Sequence, residues 1–195
     1  MPSSAPPRPR NAAATRAAIL ASARKAFARA GYDGAGVREI AGGAGVTAML
    51  VNRYFGSKEQ LFAEVVADTM AQPVILTEGN LASPTAGRDM AAALVALTNP
   101  GATPLDGFQI MFHSASSQRA AEIGREQVEA HHHKNLAATL GGDHAAERAA
   151  LALAVVAGVQ ALRQTMGLSA LAKAEPETLV DLLAPIFQQL IDGGA

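Results

Sequence analysis

The chain has 195 residues, enough for one medium domain or for a small domain joined to a larger one. Hydrophobic residues make up 49% and charged residues 17%, which excludes general disorder, and the absence of cysteine excludes both a disulfide framework and a thiolate metal site. The net charge of −1 conceals an asymmetry: residues 1–54 are +6, with eight Lys/Arg against Asp33 and Glu39, while the remainder is −7, so a polyanionic partner suits the head alone.

Residues 1–12, "MPSSAPPRPRNA", are rich in Pro, Ser and Arg and read as a disordered basic arm. Its Arg8 and Arg10 suit either a contact with a polyanion or a solvated tail. The arm has no apolar signal segment, and the longest strongly apolar run, Ala149 to Val159, is too short to span a bilayer, so a cytoplasmic protein is expected. With few aromatics and no tryptophan, the core must be aliphatic and alanine-rich, which favours close-packed helices.

Ile19, Leu20, Ala23, Ala26, Phe27 and Ala30 recur with a helical period, which predicts a first helix over 13–30 closed by Gly31. After the turn cluster "GYDGAG", Val37, Ile40, Ala41 and Ala44 define a short second helix that ends at Gly45. Thr47 can cap a third helix with Val51 and Phe55 on one face. Ser57 and Gln60 fit a capping box and open a fourth, whose apolar stripe runs through Leu61, Phe62, Val65, Val66 and Met70. Pro73 marks the end of that connection.

Further helices are expected at 89–97, 105–116 and 118–140. The turn "GGD" at 141–143, with Asp143 as a cap, leads into a nearly all-apolar helix over 144–166. A last helix begins at Pro176, a favourable first position, and Pro185 should kink it. No convincing period-2 strand and no internal repeat is present, so the fold class is all-α: an N-terminal three-helix head followed by a larger helical body.

The second and third helices, joined through Gly45-Val46, form a helix-turn-helix signature. A short helix reaches into a major groove only if something rigid holds it from behind, and Ile40, Ala41, Val51 and Phe55 supply that brace. On a helical wheel Ala48, Met49, Asn52 and Arg53 then face away, with Leu50 and Tyr54 at the flanks. The stretch from "ILASARKAFARAGY" through "VREIAGGAGV" to "YFGSKEQL" resembles the DNA-binding domain of the tetracycline-repressor (TetR) family over about residues 13–66. The resemblance divides the chain into the arm, a head over 13–56, a connecting helix over 57–72 and an effector-binding and dimerisation body over 73–195.

It also assigns roles. Arg38 reaches a base edge or a phosphate, Thr47, Ala48, Met49, Asn52 and Arg53 line the groove-facing surface, and Tyr54 and Lys58 grip the phosphate backbone. Chemistry agrees: a hydroxyl and an ammonium are donors suited to phosphate oxygens, while Arg pairs with guanine and Asn with adenine. Two departures from the family pattern stand out. Gly36 occupies a place where Ser or Thr often caps the second helix, and Gly42 and Gly43 lie within that helix, each at a cost of about 1 kcal/mol relative to alanine.

In the body, the resemblance implies a pocket for a small-molecule effector. Phe108, Met111, Phe112 and His113 share its central helix, with Val66, Met70, Leu94 and His131 as further candidates. An ordinary core would show the same residues. The run His131-His132-His133 invites a metal reading, but successive helical residues lie about 100° apart and cannot converge on one ion. No metal and no cofactor is expected, and no nucleophile motif supports a catalytic triad.

The apolar 144–166 helix needs a second surface, and the family supplies one, a four-helix dimer interface. Its candidates are Leu151, Ala154, Val155, Gly158 and Leu162, with Leu179, Leu183 and Phe187 on the last helix. A fully buried central helix in a monomer is the competing reading. The function expected is that of a homodimeric repressor that leaves a palindromic DNA operator when a small molecule binds. The alternatives are an activator and a helical small-molecule-binding protein or enzyme that does not bind DNA.

Overall fold

The computed structural model describes residues 10–71 and 74–193, and among these it holds helices and turns with no strand. Arg8 and Pro73 lie outside the described residues. Two compact units emerge, one from residues up to Asp68 together with Gln109–Gly124, the other from Thr69–Phe108 and Arg125 onward. The expected boundary followed the chain, whereas the structure returns sixteen body residues, 109–124, to the head.

In the first unit, α1 spans Arg10–Gly34, α2 Val37–Gly43 and α3 Ala48–Phe55, and α4 begins at Lys58 and reaches Met70. Each apolar period turns inward: Ile19, Ala23 and Phe27 of α1, Ile40 of α2, Val51 and Phe55 of α3, and Leu61, Phe62 and Val65 of α4 are all buried. Phe27 and Phe62 meet edge to face at 5.0 Å. On the outside, Arg16 pairs with Glu64 and Arg24 with Asp68 at 3.5 Å, tying α1 along α4. The helix α1 outruns its expected end, with a break at Gly31 (φ 66°, ψ −176°).

Gly43 has a packing reason that the sequence did not show. The Ser22 hydroxyl, which donates to the Ile40 carbonyl at 2.8 Å, fills the space a Cβ there would need. Gly42 faces open space, and nothing in the structure explains it.

The second unit is built on α6 (Ala86–Leu97) against α12 (Pro176–Asp192), after a single turn, α5 (Glu78–Leu81). Met90, Ala91, Leu94 and Val95 pack with Leu179, Val180 and Phe187. The crossing is close because Gly87 has no side chain, and its N–H donates to Gln188 Oε1 at 3.0 Å. The α12 helix runs from Pro176 through Pro185 as one element.

The structure divides the long helix expected at 118–140. It becomes α8 (Gln118–Gln127), a π-helical turn Val128–His133, and α9 (Lys134–Leu140). It follows α7 (Asp106–Ser114), which enters the first unit at Gln109. The apolar helix likewise divides into α10 (Ala145–Val159) and a π-helical turn Gln160–Thr165, with the short α11 (Ser169–Ala172) after it. Together Ala145–Thr165 is long and apolar enough by composition to cross a membrane, longer than the 149–159 run suggested.

Asp143 is not the cap of α10. His144 holds that position with φ 55°, and no side chain caps the helix there. The Asp143 carbonyl is instead taken by Arg148 Nε at 3.0 Å.

Two arginines of this element are buried, and neither pairs with a carboxylate among the described residues. Arg148 donates to the carbonyls of Leu190 and Ile191 at the end of α12, at 2.9 and 3.0 Å, and to that of Gly141. Arg163 donates to Val95 O at 2.6 Å and Thr98 Oγ1 at 3.0 Å at the end of α6, and to Leu171 O of α11 at 3.2 Å. Helix C-termini offer unpaired carbonyls and a partial negative charge, which replace the missing carboxylates. Burial nevertheless pushes the Arg163 guanidinium below its ordinary range.

Candidate nucleic-acid interface

A candidate DNA-reading surface is assembled from three short pieces of the first unit. Gly36 caps α2 through its backbone alone, as its identity predicts, with the Ile40 N–H on its carbonyl at 3.0 Å. The turn into α3 closes when the Val46 N–H reaches Ala41 O at 2.9 Å. Gly45 sits in that turn at φ 67°, where a Cβ would be strained. Thr47 then caps α3, its Oγ1 accepting from Leu50 N at 3.3 Å.

Because Val51 and Phe55 are buried, the opposite side of α3 is presented outward. Met49 is 80% exposed, Asn52 and Arg53 are exposed, and Ala48 and Tyr54 are half-buried flanks. Arg38 of α2 is exposed as well. Neither Arg38 nor Arg53 enters an ion pair among the described residues, while neighbouring Glu39 is taken by Arg29 at 2.5 Å. Met49, Asn52 and Arg53 thus form an exposed ridge along α3, and Arg38 adds a second unpaired guanidinium on α2. Arg16 steadies the ridge from behind, its guanidinium 4.7 Å over the Phe55 ring.

The α3 helix stops at Gly56, whose N–H returns to Asn52 O at 2.8 Å. Ser57 opens α4, its Oγ accepting from Gln60 N at 3.1 Å, so this half of the expected capping box is present. Lys58, half-buried, is the first residue of α4, three positions after the end of α3. Exposed donors on a helix of this length are what a major groove accepts: about 12 Å wide, it admits one helix and displays a distinct donor and acceptor pattern for each base pair.

Family models match the chain in two pieces. Residues 19–65 match the bacterial regulatory proteins of the tetR family, and residues 85–191 match the tetracyclin repressor-like C-terminal domain. The chain belongs to the TetR family. It is a DNA-binding transcriptional regulator, with the fold of a regulator and not of an enzyme family. No curated protein matches the sequence.

Among solved structures it is similar to a TetR-family regulator from Streptomyces coelicolor A3, at 24% identity over 96% of this chain and 99% of that one, with a TM-score of 0.58. It is similar to a transcriptional regulator from Rhodococcus sp. Rha1 at 27% identity over 91% and 96% of the two chains, with a TM-score of 0.62. A fatty acid degradation regulator from Bacillus halodurans, at 17% identity over 92% and 99% with a TM-score of 0.62, shares the fold.

The residues considered for the effector pocket of this TetR-family chain fall into both units. Val66 is buried in the first, where Met111 lays its thioether over Gly124 and Phe112 is 42% exposed. In the second, Leu94 is fully buried in the α6–α12 core, and Met70 and Phe108 are half-buried. The side chain of His131 lies outside the described residues. His113 commits its Nδ1 to the Ala28 carbonyl of α1 at 2.6 Å, so this nitrogen carries a proton and donates.

Several contributors were not visible in the sequence. Tyr32 stacks against Phe27 at 6.3 Å, meets Phe62 at 5.0 Å, and carries the Lys58 ammonium 4.6 Å from its ring centroid. Burial, aided by the Glu59 and Asp33 carboxylates, pushes its phenol above the ordinary 10.0. Arg119 of α8 holds Glu59 at 3.0 Å. The one signal available was an aromatic directly after the glycine of "AGY".

Proposed function

We propose that the protein is a homodimeric repressor that reads a palindromic operator and releases it when a small molecule binds the C-terminal unit. The exposed ridge of Met49, Asn52 and Arg53, braced by Val51 and Phe55, carries this reading. Thr47 and Ala48 complete its leading edge. Arg38, Asn52 and Arg53 supply direct base contacts, the apolar tip meets thymine methyls, and Tyr54 and Lys58 hold phosphates.

The homodimer is supported by an inverted helix. The buried apolar residues of α10 are alanines, Ala149 and Ala152, while Leu151 is 55% exposed and Leu162 of the following turn 40%. The α12 helix adds Leu182 at 64% and Ile186 at 45%. Apolar side chains turned outward in this number mark an interaction surface, and Ala154 and Gly158 between them permit close approach. Of the expected set, Leu179 and Phe187 are buried in their own core, at 6% and 0% exposure, and Leu183 and Val155 pack against that core. Leu182 and Ile186 take their place in the proposed interface.

Selection of duplexes from random DNA tests the reading, followed by a screen for small molecules that release the enriched duplex. Enrichment of an inverted repeat is expected. Enrichment of no sequence, or unchanged DNA affinity in the Tyr54→Phe, Lys58→Ala variant, would sink it.

A further inference from the structure

We propose that Ser114, acting through Tyr32, positions the Lys58 ammonium for its phosphate contact, so that the segment 109–124 forms part of the DNA grip. The inference rests on the reading of Lys58 as a phosphate ligand and goes beyond it by naming what holds that lysine in place.

The starting point is the break in α1. At Gly31 the backbone leaves helical geometry, and the N–H of Tyr32 parts from the carbonyl of Ala28, its partner one turn earlier in an unbroken helix. Both groups are satisfied from far along the chain by two consecutive residues. Ser114 Oγ accepts from Tyr32 N at 2.9 Å, and His113 Nδ1 donates to Ala28 O at 2.6 Å. Ser114 is 3% exposed, so this is an interior contact. A Cβ at Gly31 would overlap the His113 carbonyl, so the close approach depends on glycine. The end of α7 is spliced into the gap as a substitute for one helical hydrogen bond.

The splice fixes Tyr32, and Tyr32 fixes Lys58. The ring is packed by Phe27 and Phe62 and presents a face to the Lys58 Nζ. A cation over a ring face is attracted to it yet keeps N–H donors for a phosphate oxygen. A lysine whose long stem is already placed loses less rotamer freedom when it binds. The adjacent Glu59 carboxylate, the nearest competitor for that charge in sequence, is drawn to Arg119. Residues 109–124 therefore act twice, once by placing the ring and once by occupying the acid.

The test is a mutant cycle in the full-length protein, read as affinity for a fluorescent duplex of arbitrary sequence across a salt series. Lys58→Ala should weaken binding about tenfold and flatten the salt slope by about 2, one phosphate from each of two heads. If it changes nothing, the phosphate reading itself fails. Tyr32→Leu should weaken binding about five- to tenfold in the parent and have no further effect in the Lys58→Ala background, while Tyr32→Phe retains affinity. Ser114→Ala, which leaves the aromatic stack intact, should likewise lose affinity only when Lys58 is present. Equal losses in both backgrounds would mean that Tyr32 and Ser114 act through the fold alone, and tighter binding by Tyr32→Leu would mean that the ring sequesters the lysine. Either result overturns the inference.

Discussion

At Gly31 one residue meets two demands, a positive φ and the passage of a carbonyl from the end of α7. Gly31→Ala should therefore destabilise the protein by about 1–3 kcal/mol in urea unfolding, more than a helix-end glycine replaced in open space. Its neighbour makes a pH prediction. The Tyr32 phenol titrates above 10.0 in the folded chain, so the unfolded chain loses this proton first as pH rises. The contribution is complete below the unfolded value and is lost as pH climbs through the folded one. Tyr32→Phe should flatten this part of the alkaline stability loss, followed by denaturant midpoints between about pH 9 and 11. Specificity also lies at this scale. Arg53→Ala should relax preference at one operator position at a cost of about 1–3 kcal/mol, whereas Lys58→Ala should weaken all sequences alike.

Between elements, α6 crosses close over α12. A Cβ on Gly87 would lie 2.5 Å from Ala184 O and 2.8 Å from Gln188 Cβ, so Gly87→Ala should push the helices apart. A loss of about 1–3 kcal/mol is expected, visible as a lower thermal midpoint. Gly87 shows where sequence reasoning stops. The first four helices were legible because their apolar residues recur every three or four positions and their ends carry Thr47, Ser57 and glycine, all of which are local signals. The same periodicity placed Met49, Asn52 and Arg53 on the outer face. Gly87, Ser114 and Arg163 act on residues dozens of positions away, and nothing within a helical turn of them records that. The apolar helix was legible only in part: Leu151 and Leu162 were expected at a second surface, but no local signal shows that the buried face is held by alanines and by two arginines bonded to the ends of other helices.

For the whole molecule, the proposed function calls for two chains, because one short helix reads too few base pairs and paired heads suit a two-fold site. Leu151→Glu combined with Leu182→Glu should yield a monomer by size-exclusion chromatography and abolish tight operator binding, with α6 and α12 still folded by circular dichroism. Retained dimer would show that the outward leucines meet something else. The surface formed by α10 and α12 belongs wholly to the second unit, while the reading ridge belongs to the first. Pairing through the proposed interface would thus be indifferent to whether a head works. A copy carrying Arg53→Ala and Lys58→Ala would still capture normal copies and strand each in a dimer with one functional head. Expressed in excess beside the parent gene, such a copy should behave as a dominant inhibitor and derepress the target, and removing its two outward leucines should cure the interference.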